Sequence, residues 1–136
     1  MTNTLLLEGL EYAEQNFLDE NADHLKVDKR LVRELLDLNG KRIMDFGCGM
    51  GGMTLWYASN WDCEVHGLDL DGHHIQVANQ IKEKHGVKNV HFAKRNVIED
   101  PLDGKFDYVF LNDVVEHIPL DILQNIFLQL EKILAP

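Results

Sequence analysis

The amino-acid sequence predicts an α/β fold in which helices cover both faces of a doubly wound, mainly parallel sheet. Short apolar segments with the length of strands alternate with longer segments of helical periodicity, which is the pattern of βαβ units. A stretch with four glycines, residues 47–52, directly follows the first of these apolar segments. Because βαβ crossovers are right-handed, we expect the first strand inside the sheet and its glycine-rich end at a ligand-binding edge.

Two helices are predicted before the sheet, in an N-terminal segment of about 40 residues. Residues 4–18 place apolar side chains on one stripe at the spacing of an amphipathic helix. Asp28 has the side chain of an N-cap for a second helix, and the Asn39-Gly40 pair is typical of a helix end. The second helix is expected to carry the apolar residues between them, Leu31, Val32, Leu35 and Leu36.

The rest of the chain alternates between strands and helices. The predicted strands cover residues 41–46, 63–68, 89–93 and 106–111. The predicted helices cover residues 53–60, the segment from the N-cap Asp71 to His85-Gly86, and the segment that begins at Pro119.

The composition limits the function classes that remain open. With 136 residues, of which 45% are apolar, the chain is expected to form one domain over residues 1–136. The net charge of −10 argues against nonspecific nucleic-acid binding. No apolar run approaches the ~20 residues of a membrane span. Cys48 and Cys63 lack the spacing of a zinc site, so we expect no metal and a reducing, cytoplasmic setting.

The glycine stretch predicts a nucleotide-type cradle of free N–H groups next to a helix N-terminus. Asp45 comes just before the first glycine, where it would repel a pyrophosphate but tolerate a cationic ligand. Asp69 ends the second strand 24 positions later, and its carboxylate suits the two hydroxyls of a ribose. A nicotinamide-dependent oxidoreductase shares this fold and stays an alternative, although Asp45 argues against it.

Polar residues also follow the third and fourth strands. The amide of Asn96, next to Val97, is placed to meet the edge of a base. Beyond the fourth strand comes a polar stretch, Asn112-Asp113-Val114-Val115-Glu116-His117. His117 is the candidate general base because imidazole titrates near neutral pH, although a histidine at a helix start more often has a structural role.

These motifs resemble those of class I S-adenosylmethionine-dependent methyltransferases. The stretch from Asp45 to Gly51 resembles their first motif, and Gly67-Leu68-Asp69-Leu70 resembles their second. The region from Phe106 to Ile118 resembles that of the small-molecule branch. The resemblance runs from about residue 28 to residue 136.

The resemblance implies S-adenosylmethionine as cofactor, S-adenosylhomocysteine as product and a small-molecule methyl acceptor. The implied cofactor-binding residues are Asp45 at the amino group, Gly47, Cys48, Gly49 and Gly51 along the methionine part, Asp69 at the ribose, Leu70, Asn96 and Val97 at the adenine, and Asn112 near the sulfonium through its backbone carbonyl group.

Members of this family continue beyond the position of Pro136 into a Gly-Gly turn and three more strands. We therefore expect a domain that lacks its later strands, with the fourth strand as an apolar edge prone to self-association. Because the missing part normally completes the acceptor pocket, a non-catalytic cofactor-binding or interaction module is a second alternative.

Overall fold

The computed structural model describes residues 2–22, 25–97, 99–100, 102–112 and 114–136, and only the backbone of residues 2–8. Within this part of the chain, four parallel strands form one sheet: β1 (Arg42–Phe46), β2 (Glu64–Asp69), β3 (Val90–Lys94) and β4 (Tyr108–Phe110). Their order is β3-β2-β1-β4, so β1 lies inside the sheet as predicted.

Five helices accompany the sheet in the described residues: α1 (Thr2–Leu18), α2 (Leu25–Leu35), α3 (Gly52–Asn60), α4 (Gly72–His85) and α5 (Leu120–Ile133). The predicted ends of α4 are confirmed, because the Asp71 side chain accepts a hydrogen bond from the His73 N–H and Gly86 adopts the left-handed conformation. A short 3₁₀ turn, Val115–His117, precedes α5. None of the described helices has the length and apolar content that a bilayer crossing requires.

Alternate residues of β1 point into two apolar clusters on opposite faces of the sheet. Ile43 packs with the buried side chains of α1, α3 and α4, and Met44 packs with those of α5. Helices therefore cover both faces, and the predicted doubly wound α/β class is confirmed.

The prediction for the second helix was wrong in its start, and only part of the predicted apolar set is buried, namely Val32, with Leu36 packed against the same cluster. The helix begins at Leu25, so Asp28 lies in its first turn and is not the N-cap. Leu31 and Leu35 are 45% and 73% exposed, whereas Lys29 is fully buried. Lys29 faces inward, where its ammonium group pairs with carbonyl oxygens at the C-terminal end of α1.

The Lys29 ammonium donates hydrogen bonds to the backbone carbonyl oxygens of Asn16 and of Asp19, the latter at 2.9 Å. It also lies 5.6 Å from the centre of a Trp56 ring. Burial lowers the pKa of Lys29. A cation at the end of a helix pairs with carbonyl groups that have no partner inside the helix. Lys29 therefore fixes the C-terminal turn of α1 to α2.

A second polar cluster ties this helical pair to α3. The Glu20 carboxylate accepts hydrogen bonds from the Arg33 guanidinium and, at 2.7 Å, from the Trp56 indole N–H. Arg33 also donates to the Asn60 side chain at 2.9 Å. At the other flank, the Glu14 carboxylate of α1 lies within 2.8 Å of Lys84 in α4. The C-terminal half of α1 is therefore fixed against both helices on its face of the sheet.

The fourth strand is shorter than predicted. Phe106 forms an isolated parallel bridge with Leu134, because its N–H donates to Ile133 O and its carbonyl oxygen accepts from the Ala135 N–H. Its backbone groups are thus committed to the chain after α5, and the strand proper covers only Tyr108–Phe110.

Candidate functional site

The loop after β1 turns back on itself at the carboxyl edge of the sheet. The N–H groups of Gly47 and Cys48 both donate to Leu68 O in β2, at 2.8 and 2.9 Å. Gly47, Gly49 and Gly51 have φ angles of 72°, 57° and 88°. These values lie in the left-handed region, which explains why three of the positions are glycine.

The three glycines differ in what surrounds them. A Cβ atom would lie 2.5 Å from Val114 at Gly47 and 2.8 Å from the Phe92 ring at Gly51. No described atom lies within 4 Å of a Cβ placed at Gly49. Gly47 and Gly51 are therefore also required by packing, whereas Gly49 presents bare backbone to an open space.

Asp69 connects this loop to the start of α4. One carboxylate oxygen accepts from the Gly49 N–H at 2.9 Å, and the other accepts from the Asp71 N–H at 2.9 Å. His74 Nδ1 lies 3.4 Å from the second oxygen. A carboxylate has about four acceptor positions, so Asp69 retains acceptor capacity beyond these two bonds.

Asp45 is a buried acid directly beneath the glycine loop. It is only 2% exposed, and the fully buried Thr54 hydroxyl donates to its Oδ2 at 2.8 Å. Burial raises the pKa of Asp45 to about 7, the Thr54 hydrogen bond opposes this rise, and the Asp69 charge adds to it. Without a nearby cation, burial therefore favours the protonated form of this carboxyl group over a wider pH range than for an exposed acid. The sequence analysis did not anticipate Thr54 as its partner.

Two cavities open along this edge, and Gly47 borders both. The first cavity has a volume of about 490 Å³, and its lining includes five of the predicted site residues besides Gly47: Asp69, Leu70, Asn96, Val97 and His117. The second has a volume of about 350 Å³ and includes the other five: Asp45, Cys48, Gly49, Gly51 and Asn112. The structure thus brings every predicted site residue to one of two adjoining cavities.

His117 lies at the first cavity, away from Asp45 and Asn112. Its side chain is 75% exposed, and Nε2 lies 3.6 Å from the Glu116 carboxylate. This exposed position fixes no proton-transfer geometry, so the role of His117 as a base stays a prediction.

The Asn112 side chain is used within the fold. Its Nδ2 donates to the Tyr57 hydroxyl at 3.0 Å, and the buried Tyr57 ring stacks on Phe110 with centroids 4.6 Å apart. The sequence pattern gave no indication of this hydrogen bond between Asn112 and Tyr57. Asp113, from the same motif, lies outside the described residues.

Helix α1 forms one wall of the second cavity, which the sequence pattern did not predict. Tyr12, Ala13 and Asn16 of α1 line the second cavity together with the glycine loop. Amphipathic periodicity shows which face of α1 is buried, but it does not show which part of the sheet that face covers. Within the described residues, no cluster of three or more His, Cys, Asp or Glu side chains could hold a metal ion.

Comparison with known proteins shows what this chain is similar to. The sequence profile of a family described as a methyltransferase domain matches residues 37–136. The chain is 28% identical over 130 residues to phosphoethanolamine N-methyltransferase 2 of Caenorhabditis elegans, which covers 94% of the chain and 28% of that protein. It is 27% identical over 111 residues to the chloroplastic tocopherol O-methyltransferase of Arabidopsis thaliana, covering 73% of the chain and 32% of that protein.

A solved structure supports the same relationship. Phosphoethanolamine N-methyltransferase 2 of Haemonchus contortus, in complex with S-adenosyl-L-methionine, superposes with a TM-score of 0.76 at 27% identity. The superposition covers 95% of this chain and 30% of that one. The chain therefore spans less than a third of the length of these three proteins.

The buried acid predicts how the stability of the ligand-free chain depends on pH. The pKa of Asp45 is about 7 in the folded chain and near 3.8 when unfolded, so folding becomes less favourable as pH rises between these values. Each unit of pKa difference corresponds to about 1.4 kcal/mol, so the Asp45 contribution falls by about 2 to 3 kcal/mol between about pH 5 and about pH 8. The Asp45→Asn variant should lack this fall, and its stability relative to the parent should rise with pH.

Urea unfolding at both pH values measures this difference. Asp62 is exposed and provides the control variant Asp62→Asn. Its free energy of unfolding should differ from that of the parent by nearly the same amount at both pH values. If the free energies of unfolding of Asp45→Asn and the parent differ by the same amount at both pH values, the raised pKa of Asp45 would be contradicted.

Proposed function

Because the chain belongs to the methyltransferase-domain family, we propose that it binds S-adenosylmethionine and supports methyl transfer to a small-molecule acceptor. The observation that carries the proposal is the pair of carboxyl groups, Asp45 and Asp69, on either side of a bare glycine turn. A sulfonium and an ammonium group would both be favoured there, whereas a diphosphate would be repelled. We further propose that residues 1–136 act as one binding domain.

The side chains and backbone groups that line the two cavities fit this cofactor. We assign the adenosine part to the first cavity, where Asp69 retains acceptor capacity for ribose hydroxyls and Leu70, Asn96 and Val97 would surround the adenine. Leu70 is 65% exposed without a ligand, and an adenine ring would cover it.

We assign the methionine part to the second cavity. Gly47, Gly49 and Gly51 would lie beneath it with Cys48, and the carbonyl group of Asn112 would face the sulfonium. A bound cation would stabilise the ionised form of Asp45 and lower its pKa, so cofactor binding above about pH 7 would meet a carboxylate that is already charged.

In this proposal the chain acts by positioning. The bound sulfonium supplies a methyl group that is already activated, so the protein needs no nucleophile of its own. The work of the described residues is to hold the reacting groups in line and to exclude water. His117 would matter as a base only for an acceptor that must lose a proton, such as a neutral hydroxyl.

The acceptor is proposed only as a class. The named relatives act on phosphoethanolamine at nitrogen and on tocopherol at oxygen, so family membership does not select the methylated atom. The net charge of −10 disfavours a nucleic-acid acceptor. The free thiols of Cys48 and Cys63 suit the proposed cytoplasmic location. Membership in this family also weighs against the nicotinamide alternative, which titration with NADH would test separately.

Calorimetric titration with S-adenosylhomocysteine tests the proposal. The parent should bind, and Asp69→Ala should lower the affinity by about tenfold or more, because a hydrogen bond to a charged group contributes about 1.5–3 kcal/mol. The Asp69→Asn variant keeps one acceptor oxygen for the Gly49 N–H but carries no charge. Its affinity therefore shows how much of the loss in Asp69→Ala comes from the missing charge and how much from a displaced loop. The exposed Asp103 provides the control Asp103→Ala, for which no change is expected.

A parent that binds no S-adenosylhomocysteine would contradict the proposal. Binding without turnover on amine, hydroxyl and carbon acceptors would instead favour a cofactor-binding module without catalysis.

We also propose that the chain self-associates through β4. This strand lies at one edge of the sheet. Helix α5 and the residue that follows it also expose apolar side chains, Phe127, Leu128 and Leu134. An unpaired apolar edge is a template for pairing with a second strand. Sedimentation velocity should show dimers whose fraction rises with protein concentration, and a monomer at all concentrations would contradict this proposal.

A further inference from the structure

Tyr57 is a fully buried residue whose hydroxyl group contacts a residue of the candidate site. Its ring stacks on Phe110 with centroids 4.6 Å apart, and its hydroxyl accepts a hydrogen bond from the Asn112 side-chain amide at 3.0 Å. Ring packing alone would be served by phenylalanine, because burying a hydroxyl costs free energy that an apolar edge does not. The hydroxyl therefore calls for a reason, and Asn112, which lines the second cavity, supplies one.

Helix α3 directs two hydroxyl groups to the second cavity's lining residues. Thr54 and Tyr57 are three positions apart and therefore share one face of this helix. The Thr54 hydroxyl donates to Asp45, and the Tyr57 hydroxyl accepts from Asn112. Asp45 belongs to β1, and Asn112 follows the neighbouring strand β4. One helix face thus holds a cavity residue from each of two adjacent strands.

Asn112 lies where the sheet no longer holds the chain. Strand β4 ends at Phe110, so its pairing with β1 stops two residues before Asn112. The hydrogen bond to Tyr57 ties Asn112 to α3 instead. Burial raises the pKa of Tyr57 well above its ordinary value, and the Asp45 charge raises it further, so the group is a neutral hydroxyl at neutral pH. Tyr57 thus restrains Asn112 without adding a charge to the cavity.

We propose that Tyr57 is a positioning residue that holds Asn112 at the sulfur end of the bound cofactor and thereby favours the cationic sulfonium over the neutral thioether. The inference rests on the proposed function, in which the carbonyl group of Asn112 faces the sulfonium. A carbonyl oxygen carries partial negative charge, so its position affects the binding of a sulfonium more than that of an uncharged sulfur. Tyr57 would act only through Asn112, because it is itself fully buried.

Calorimetric titration with S-adenosylmethionine and with S-adenosylhomocysteine tests this role, because the two ligands differ in the charge on sulfur. Tyr57→Phe removes only the hydroxyl, and the matched control Tyr108→Phe removes a hydroxyl from a ring that stacks on the same Phe110. Tyr57→Phe should weaken binding of S-adenosylmethionine about threefold to tenfold more than that of S-adenosylhomocysteine, the range expected for one lost hydrogen bond. Tyr108→Phe should leave the ratio of the two affinities unchanged.

Asn112→Ala tests the same hydrogen bond from its other side and leaves the Tyr57 ring in place. It should lower the ratio of the two affinities by a similar factor. Adding Tyr57→Phe to it should change the ratio by less than about twofold more, as expected when one residue acts through the other. Fully multiplicative effects of the two substitutions would overturn the inference. If Tyr57→Phe does not fold, an unchanged ratio in Asn112→Ala would overturn it.

A purely structural role of the hydroxyl predicts a different pattern. Tyr57→Phe would then lower the urea midpoint and weaken both ligands by the same factor, which would overturn the inference. A parent that binds neither ligand would overturn the proposed function and this inference with it. A parent that binds both ligands, with the same ratio of affinities in Tyr57→Phe, would overturn only the inference.

Discussion

The burial of the Asp45 carboxyl group beneath the glycine turn is the constraint on which the rest of the site depends. The acid is 2% exposed, and its one identified donor is the Thr54 hydroxyl. A buried carboxylate without a cation is costly, and the rise of its pKa to about 7 expresses that cost. The Thr54 hydroxyl offsets part of this cost, and a positive group at the site would stabilise the ionised acid further.

Asp69 and helix α1 hold the glycine turn and the surroundings of Asp45 in place. Asp69 receives N–H groups from the glycine loop and from the start of α4, which fixes the loop relative to the second strand. Helix α1 closes the other side, and Lys29 and Glu20 hold its C-terminal end against α2 and α3. The N-terminal helices are therefore part of the site and not only a cover for the sheet.

Sequence reasoning succeeded where the signal is local. The Asp71 cap, the Gly86 stop and the loop after the first strand each depend on a few adjacent residues, and the order of the strands follows from the handedness of their crossovers. The features that it missed join residues far apart in the chain. The Asn112 amide donates a hydrogen bond to Tyr57, which lies 55 positions away in the sequence. Lys29 donates one to the carbonyl oxygen of Asn16, which lies 13 positions away. A lysine on a highly charged helix is normally expected to be exposed to solvent. The burial of Lys29 is explained only by its hydrogen bonds to the carbonyl oxygens of Asn16 and Asp19.

The most direct test of this account is the pKa of Asp45, measured from the pH dependence of its side-chain carboxyl ¹³C chemical shift by NMR. We expect a pKa of about 7 in the ligand-free chain and a decrease of at least about one unit when S-adenosylhomocysteine is bound. A ligand-free pKa near 3.8, or a value that does not change on saturation with S-adenosylhomocysteine, would contradict it.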